Sequence, residues 1–124
     1  MEIRYEINSN IMSNIPKPGE PVRGSRSGAP IMALFDLFGR RWAMGVLWVT
    51  CENGPLTFRD LQAKCEGISP AVLNSRLKDL RDAQFIHRVD EGYAATPLGE
   101  KTYRQLVPLG ALAKEWAKVI EVSE

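Results

Sequence analysis

The stretch from Leu56 to Ile86, LTFRDLQAKCEGISPAVLNSRLKDLRDAQFI, leaves the chain few folds to choose from. It carries two helix starts with a break in periodicity between them. Thr57 stands just before an apolar-periodic run with Asp60 three residues on, a capping pattern in which the hydroxyl accepts from a first-turn N–H. A short helix from Phe58 to about Cys65 is predicted. Glu66-Gly67-Ile68 breaks the period, and Ser69-Pro70 restarts it with a good N-cap followed by a residue preorganised for the first helical position. The second helix then runs to about Ala83. On it Leu73, Leu77 and Leu80 recur at i, i+4 and i+7 and make one buried stripe. Ala71, Asn74, Ser75 and Lys78 fall on the opposite face. Such small, polar and basic side chains permit close approach, hydrogen bonds to base edges and a charge for phosphate, as a helix in the DNA major groove requires. The same pattern also suits an ordinary amphipathic helix with a wet face, and this helix by itself leaves both readings open.

The rest of the chain narrows the choice. Its 124 residues, 44% of them hydrophobic, suffice for one core and leave no room for a second domain. The net charge of +1 carries no global nucleic-acid signature, so DNA affinity has to come from local clusters of Arg and Lys. There is no run of about 18 apolar residues and no basic-apolar-small N-terminal pattern, so no membrane partner is expected and the location expected is cytoplasmic. Cys51 and Cys65 with a single His form neither a disulfide framework nor a metal set, and both thiols are expected reduced and mostly buried. No cofactor is implied. Cys65 with His87 is the only conceivable nucleophile–base pair, and no oxyanion-hole motif accompanies it, so an enzyme is not expected.

Residues 1–28 read as a flexible arm rich in Asn, Ser, Pro and Gly, with Lys17, Arg23 and Arg26 scattered through it; a DNA-touching or dimer-strapping arm is the alternative reading. The ordered domain is expected over residues 29–124. Ile31 to Phe38 is a helical segment too apolar for a surface unless covered on two sides. Arg41 to Thr50 is the next predicted helix, stopped by Asn53-Gly54-Pro55. Arg40 and Arg41 lie at its start, where basic side chains oppose the helix dipole; phosphate contact would explain that cost, and a solvated pair would tolerate it. Past the helix pair, Phe85 to Val89 and Tyr93 to Ala95 flank the turn signal Asp90-Glu91-Gly92. A hairpin appended to a helix-turn-helix is the layout of a wing. Its acidic tip repels phosphate, leaving Arg88 and His87 as its only basic contributions. Thr96-Pro97 opens the last helical region, in which Leu106, Leu109, Ala113, Trp116 and Ile120 recur at three-and-four spacing, with Val107, Leu112 and Val119 beside them. That face is wider than one small core can cover, and part of it should meet a second subunit. Pro108 should bend or restart the helix.

Several segments together resemble the HxlR family of winged helix-turn-helix transcription regulators, over about residues 29 to 120. They are FGRRW at Phe38 to Trp42, VLW at Val46 to Trp48, GPLTFRDLQ at Gly54 to Gln62, and GISPAVLNSRLKDL at Gly67 to Leu80. YAATPLG at Tyr93 to Gly99 and LVPLGALAKEW at Leu106 to Trp116 complete the set. The resemblance implies a mainly α fold with a small β-hairpin wing, and a homodimer on double-stranded DNA with helical dimerisation elements at both ends. Carried over by position, Ser69, Pro70, Ala71, Asn74 and Ser75 would read bases. Arg41, Arg59, Arg76, Lys78 and Arg88 would serve the backbone, with an internal ion pair as the alternative for Arg76. Leu34, Phe35, Leu109, Leu112, Trp116 and Ile120 would form the dimer interface. A small-molecule effector is compatible with this class, and so is a winged module that has lost DNA binding and contacts proteins instead. The chain departs from the family pattern at four places. Ala29 replaces a frequent Cys, which removes support for thiol sensing, and Ala71 stands where a basic residue is common. The wing is several residues shorter, and Gln84 occupies a usual Gly position, which calls for a left-handed backbone.

Overall fold

The computed structural model describes residues 15–123. The elements run α1 (Pro30–Phe38), α2 (Ala43–Asn53), α3 (Phe58–Lys64), α4 (Pro70–Asp82), β1 (Ile86–Val89), β2 (Gly92–Ala95), α5 (Pro97–Leu106) and α6 (Pro108–Ser123). Local chemistry sets most of these boundaries. The Thr57 hydroxyl accepts from the Asp60 N–H at 3.0 Å while the Asp60 carboxylate accepts from the Thr57 N–H at 3.2 Å, a closed capping box. Ser69 Oγ accepts from the Val72 N–H at 3.1 Å to start α4, and Thr96 Oγ1 accepts from the Gly99 N–H at 3.0 Å to start α5. Pro70 and Pro97 follow those caps directly. Pro108 separates α5 from α6 as predicted.

The core gathers around α2, whose Val46, Leu47 and Thr50 are fully buried. Thr50 Oγ1 donates to the Val46 carbonyl at 2.8 Å, so its burial leaves no orphaned hydroxyl. The predicted stripe of Leu73, Leu77 and Leu80 meets this helix together with Leu61 and Ile86. On the far side of α2, Trp48 packs edge-on against Tyr103 of α5. Strands β1 and β2 pair antiparallel from Ile86 opposite Ala95 to Val89 opposite Gly92. Leu56 adds a short third edge by exchanging two backbone hydrogen bonds with Tyr93, 2.9 and 2.7 Å long. Gly92 is required there: its φ is +133°, and a side chain would run into the Leu56 carbonyl oxygen.

Two expectations change. Helix α2 begins at Ala43, not Arg41, because Trp42 takes a left-handed backbone with φ 75°. Arg40 and Arg41 therefore lie in the turn that precedes the helix, and the dipole conflict read from the sequence does not arise within it. Helix α1 is covered by its own chain on one side only, with Ala33 and Leu37 buried but Ile31 and Phe35 exposed. Of the arm predicted over 1–28, residues 1–14 lie outside the described residues. The remainder is a loop closed by the Gly19 N–H on the Gly28 carbonyl at 2.8 Å and tied to α1 through Arg23, whose N–H donates to Asp36 at 3.2 Å. Gln84 does adopt the left-handed conformation, φ 68°.

Candidate nucleic-acid interface

Helix α4 is held by its leucine face, and that fixes what the other face offers. Ala71, Asn74 and Ser75 are exposed, as are Ser69 and Pro70 at its N-terminal end, while Lys78 is half-buried. The Ser69 oxygen already accepts the capping hydrogen bond, so toward a ligand it has its O–H to offer. Lys78 Nζ sits 2.8 Å from Asp82 Oδ2 one turn along the helix. Between α4 and the wing runs a groove of about 330 Å³ lined by Asn74, Leu77, Lys78, Arg81, Asp82 and Tyr93. Arg88 on β1 lies over the Tyr93 ring, 5.2 Å from its centroid, which holds a guanidinium on the wing side.

The other flank of α4 is organised by a buried carboxylate. Asp79, 7% exposed, faces Arg40 Nη1 at 3.1 Å with one oxygen and Arg76 Nη1 at 3.4 Å with the other. Arg76 thus takes the internal ion pair that its position beside the leucine stripe allowed. It is not withdrawn from the surface, because Arg23, Arg40, Arg41 and Arg76 together line a depression of about 510 Å³ with Gly39. Four guanidinium groups stand there against Asp79 and, through Arg23, Asp36. The balance is positive, and the shape is open enough for a phosphate oxygen pair. Arg41 also leans on the Trp42 ring, 6.0 Å from its centroid, so the left-handed turn at Trp42 aims the pair of arginines at this basin. Arg59 is exposed on α3 and lines neither the groove nor the basin. Sequence reasoning missed Asp79, for which the Arg76–Asp79 spacing of three was a readable signal. It named Arg23 only as one of three basic residues in an arm with a DNA-touching alternative, and nothing local placed it beside Arg40 and Arg76.

The remaining candidates are placed as follows. Leu34 is half-buried, while Phe35, Leu109, Leu112, Trp116 and Ile120 are exposed. Cys65 is buried, which pushes its thiol pKa up. Cys51 donates a weak hydrogen bond to the Gly99 carbonyl at 3.7 Å; desolvation, helped by the nearby Glu100 carboxylate, pushes its thiol up to about 11. Neither is a thiolate at neutral pH.

A helix-turn-helix whose second helix shows a small polar face, followed by a two-stranded wing and flanked by arginines, defines a winged helix-turn-helix protein. The family model for the HxlR-like helix-turn-helix matches residues 37–121, more than half of the chain, and the protein belongs to the HxlR family of DNA-binding transcription regulators. Among solved structures it is similar to a possible HxlR family transcriptional factor from Thermoplasma volcanium GSS1, with 28% identity and a TM-score of 0.62 over 68% of this chain and 82% of that one. It is also similar to quinone-bound YodB from B. subtilis, with 26% identity and a TM-score of 0.57 over 71% of this chain and 93% of that one. The reduced form of YodB matches at 26% identity and a TM-score of 0.55, over 70% of this chain and 87% of that one. A comparison with curated protein sequences finds no match. No helix among the described residues is long and apolar enough to cross a membrane.

Proposed function

We infer that the protein regulates transcription by binding a two-fold-symmetric DNA operator as a homodimer, with one α4 helix per subunit in the major groove. The observation that carries this reading is the division of α4. Its leucines are locked in the core, and its exposed face of Ala71, Asn74 and Ser75 is small enough for base edges to approach. In this reading Ser69, Pro70, Ala71, Asn74 and Ser75 form the base-reading surface. Lys78 and Arg88 serve the phosphates on the wing side, and Arg41 and Arg76 serve those on the basin side, joined by Arg40 and Arg23. Arg59 contributes from α3. The dimer is supported by α6, where Leu109, Leu112, Trp116, Val119 and Ile120 share one face and all are exposed. A single helix reads few base pairs, so two half-sites about 10 base pairs apart are expected. A small-molecule effector belongs to the same reading, since a relative is known in a quinone-bound form.

The deciding experiment is a binding titration on the DNA upstream of the protein's own gene at several salt concentrations. Each phosphate contact should steepen the decline of log K with log salt by about 0.9. Absence of binding at low salt, or an affinity indifferent to salt, would overturn the reading in favour of a winged module that docks on proteins.

A further inference from the structure

A second cavity, of about 290 Å³, shares no residue with the arginine basin and meets the groove between α4 and the wing only at Asp82. Pro16 and Pro18 of the N-terminal loop form one wall, the buried side chains of Ala33 and Leu37 of α1 another, and Phe85 and Asp82 at the end of α4 a third. Its volume is about twice that of the roughly 150 Å³ apolar cavity that holds a benzene ring, so one or two fused rings suit it. The lining is apolar, and its prolines have no N–H to offer an anion. The one ionisable lining group is a carboxylate, Asp82, whose Oδ2 is 2.8 Å from Lys78 Nζ. Paired in this way the carboxylate adds no net charge, but it is a lining acceptor for an ammonium that replaces Lys78, while the apolar walls offer an anion no donor.

We propose that this cavity is a binding site for a small hydrophobic amine, its rings between α1 and Phe85 and its ammonium on Asp82 in competition with Lys78. The wall that the amine touches also contains a turn with a left-handed non-glycine residue. Gln84, left-handed at φ 68°, joins Ala83 to Phe85, and both neighbours line the cavity. The site thus meets the end of α4 at a joint that already holds an uncommon backbone conformation. Occupancy also changes the partner of Lys78, a residue of the groove between α4 and the wing. The step from that change to DNA affinity rests on the DNA-binding reading; the amine site does not.

Calorimetric titration of the full chain, free of DNA, with 2-naphthylmethylamine, 2-naphthalenemethanol and 2-naphthoate tests the site. The amine should bind at least about tenfold more tightly than the carboxylate, with the alcohol between them. Asp82→Asn should make amine and alcohol equal, and Lys78→Ala, by removing the competing cation, should tighten the amine several-fold. Ala33→Leu should fill the cavity and abolish binding; if that variant does not fold, the Asp82 and Lys78 variants decide. No binding of any of the three at about 1 mM, equal binding of amine and carboxylate, or an unchanged affinity in folded Ala33→Leu would each overturn the proposal. Repeating the operator titration with the amine present should tighten operator binding several-fold at fixed salt and leave the salt slope unchanged, because Lys78, which already counts as a phosphate contact, no longer has to give up Asp82 to make it. A failure there alone, with the amine bound, faults the coupling to DNA and not the site.

Discussion

Helices α4 and α6 each carry an apolar stripe, and the two stripes end in opposite situations. In α4 the stripe of Leu73, Leu77 and Leu80 is fully buried, because the helix lies between α2 and the wing and is pinned at both ends by neighbours close in sequence. In α6 the stripe is uncovered among the described residues: Leu112 is 55% and Trp116 65% exposed, and the main packing of the helix is on α5. The more apolar helix is the exposed one. An apolar face announces that something must cover it, while the topology decides whether the cover comes from the same chain. What α4 leaves to solvent is polar and suits a hydrated, charged partner, whereas α6 leaves a surface that only another apolar surface satisfies.

The comparison breaks most visibly at Trp116. On the dimer reading a two-fold interface contains each residue twice, and a Trp anchor buried in it is worth about 2 kcal/mol, so Trp116→Asp should raise the dimer dissociation constant by roughly 10³. Sedimentation at micromolar concentration should then show a 13.9 kDa species with unchanged near-ultraviolet spectra. A wild-type chain that already sediments at that mass would remove α6 from any interface. The matching lesion in α4, Leu77→Ala, should leave assembly intact per folded subunit and lower unfolding free energy by about 3 kcal/mol in denaturant titrations.

The polar face of α4 is sharpened by a pair of variants. Asn74→Ala should cost about 1 to 3 kcal/mol on the cognate operator and little on scrambled duplex, because an amide pairs with one base edge. Lys78→Ala should weaken both duplexes alike and reduce the salt slope by about 1 per subunit. Equal losses for Asn74→Ala on both duplexes would remove α4 from the groove. Smaller again is Gln84→Gly. It relieves a left-handed backbone worth about 1 kcal/mol, less the added chain entropy of glycine, and should raise the melting temperature by a few degrees at most. Smallest at neutral pH is the effect of the thiols. The folded-state pKa of Cys51, about 11, exceeds its ordinary value of 9.0, so the folded state keeps a proton the unfolded chain gives up. Its contribution is complete below pH 9 and lost as pH rises toward 11. Diamide at neutral pH should leave DNA binding unchanged, and Cys51→Ser should flatten the alkaline limb of a stability–pH profile.

What was legible in the sequence was local. Thr57 and Asp60, Ser69-Pro70, Thr96-Pro97 and Pro108 each mark a boundary through chemistry within one turn, and the leucine spacing gives the buried face of α4 directly. The wing was legible from Asp90-Glu91-Gly92. What escaped depends on residues far apart in the chain. Arg23 reaches the basin only because the N-terminal loop folds onto α1, and Asp79 becomes its organiser only because Arg40 arrives from the turn before α2. The left-handed Trp42 was unreadable for a different reason, since propensity argues against a bulky aromatic there and tertiary packing overrides it. The Leu56–Tyr93 exchange, which fastens the wing to the start of the helix pair, likewise joins segments that no period connects.

The isolation of α6 also bears on how such a regulator would respond to its own abundance. A helix of 16 residues packed mainly on α5 among the described residues draws little stability from its own chain. If a second subunit covers it, its order is tied to that partner. On the dimer reading, subunit concentration becomes a thermodynamic variable of the fold, and below the dimer dissociation constant operator occupancy rises with the square of protein concentration. A modest change in synthesis or turnover would then move the promoter through most of its range. The steepness of the genetic response would be set by an apolar stripe far from any base pair.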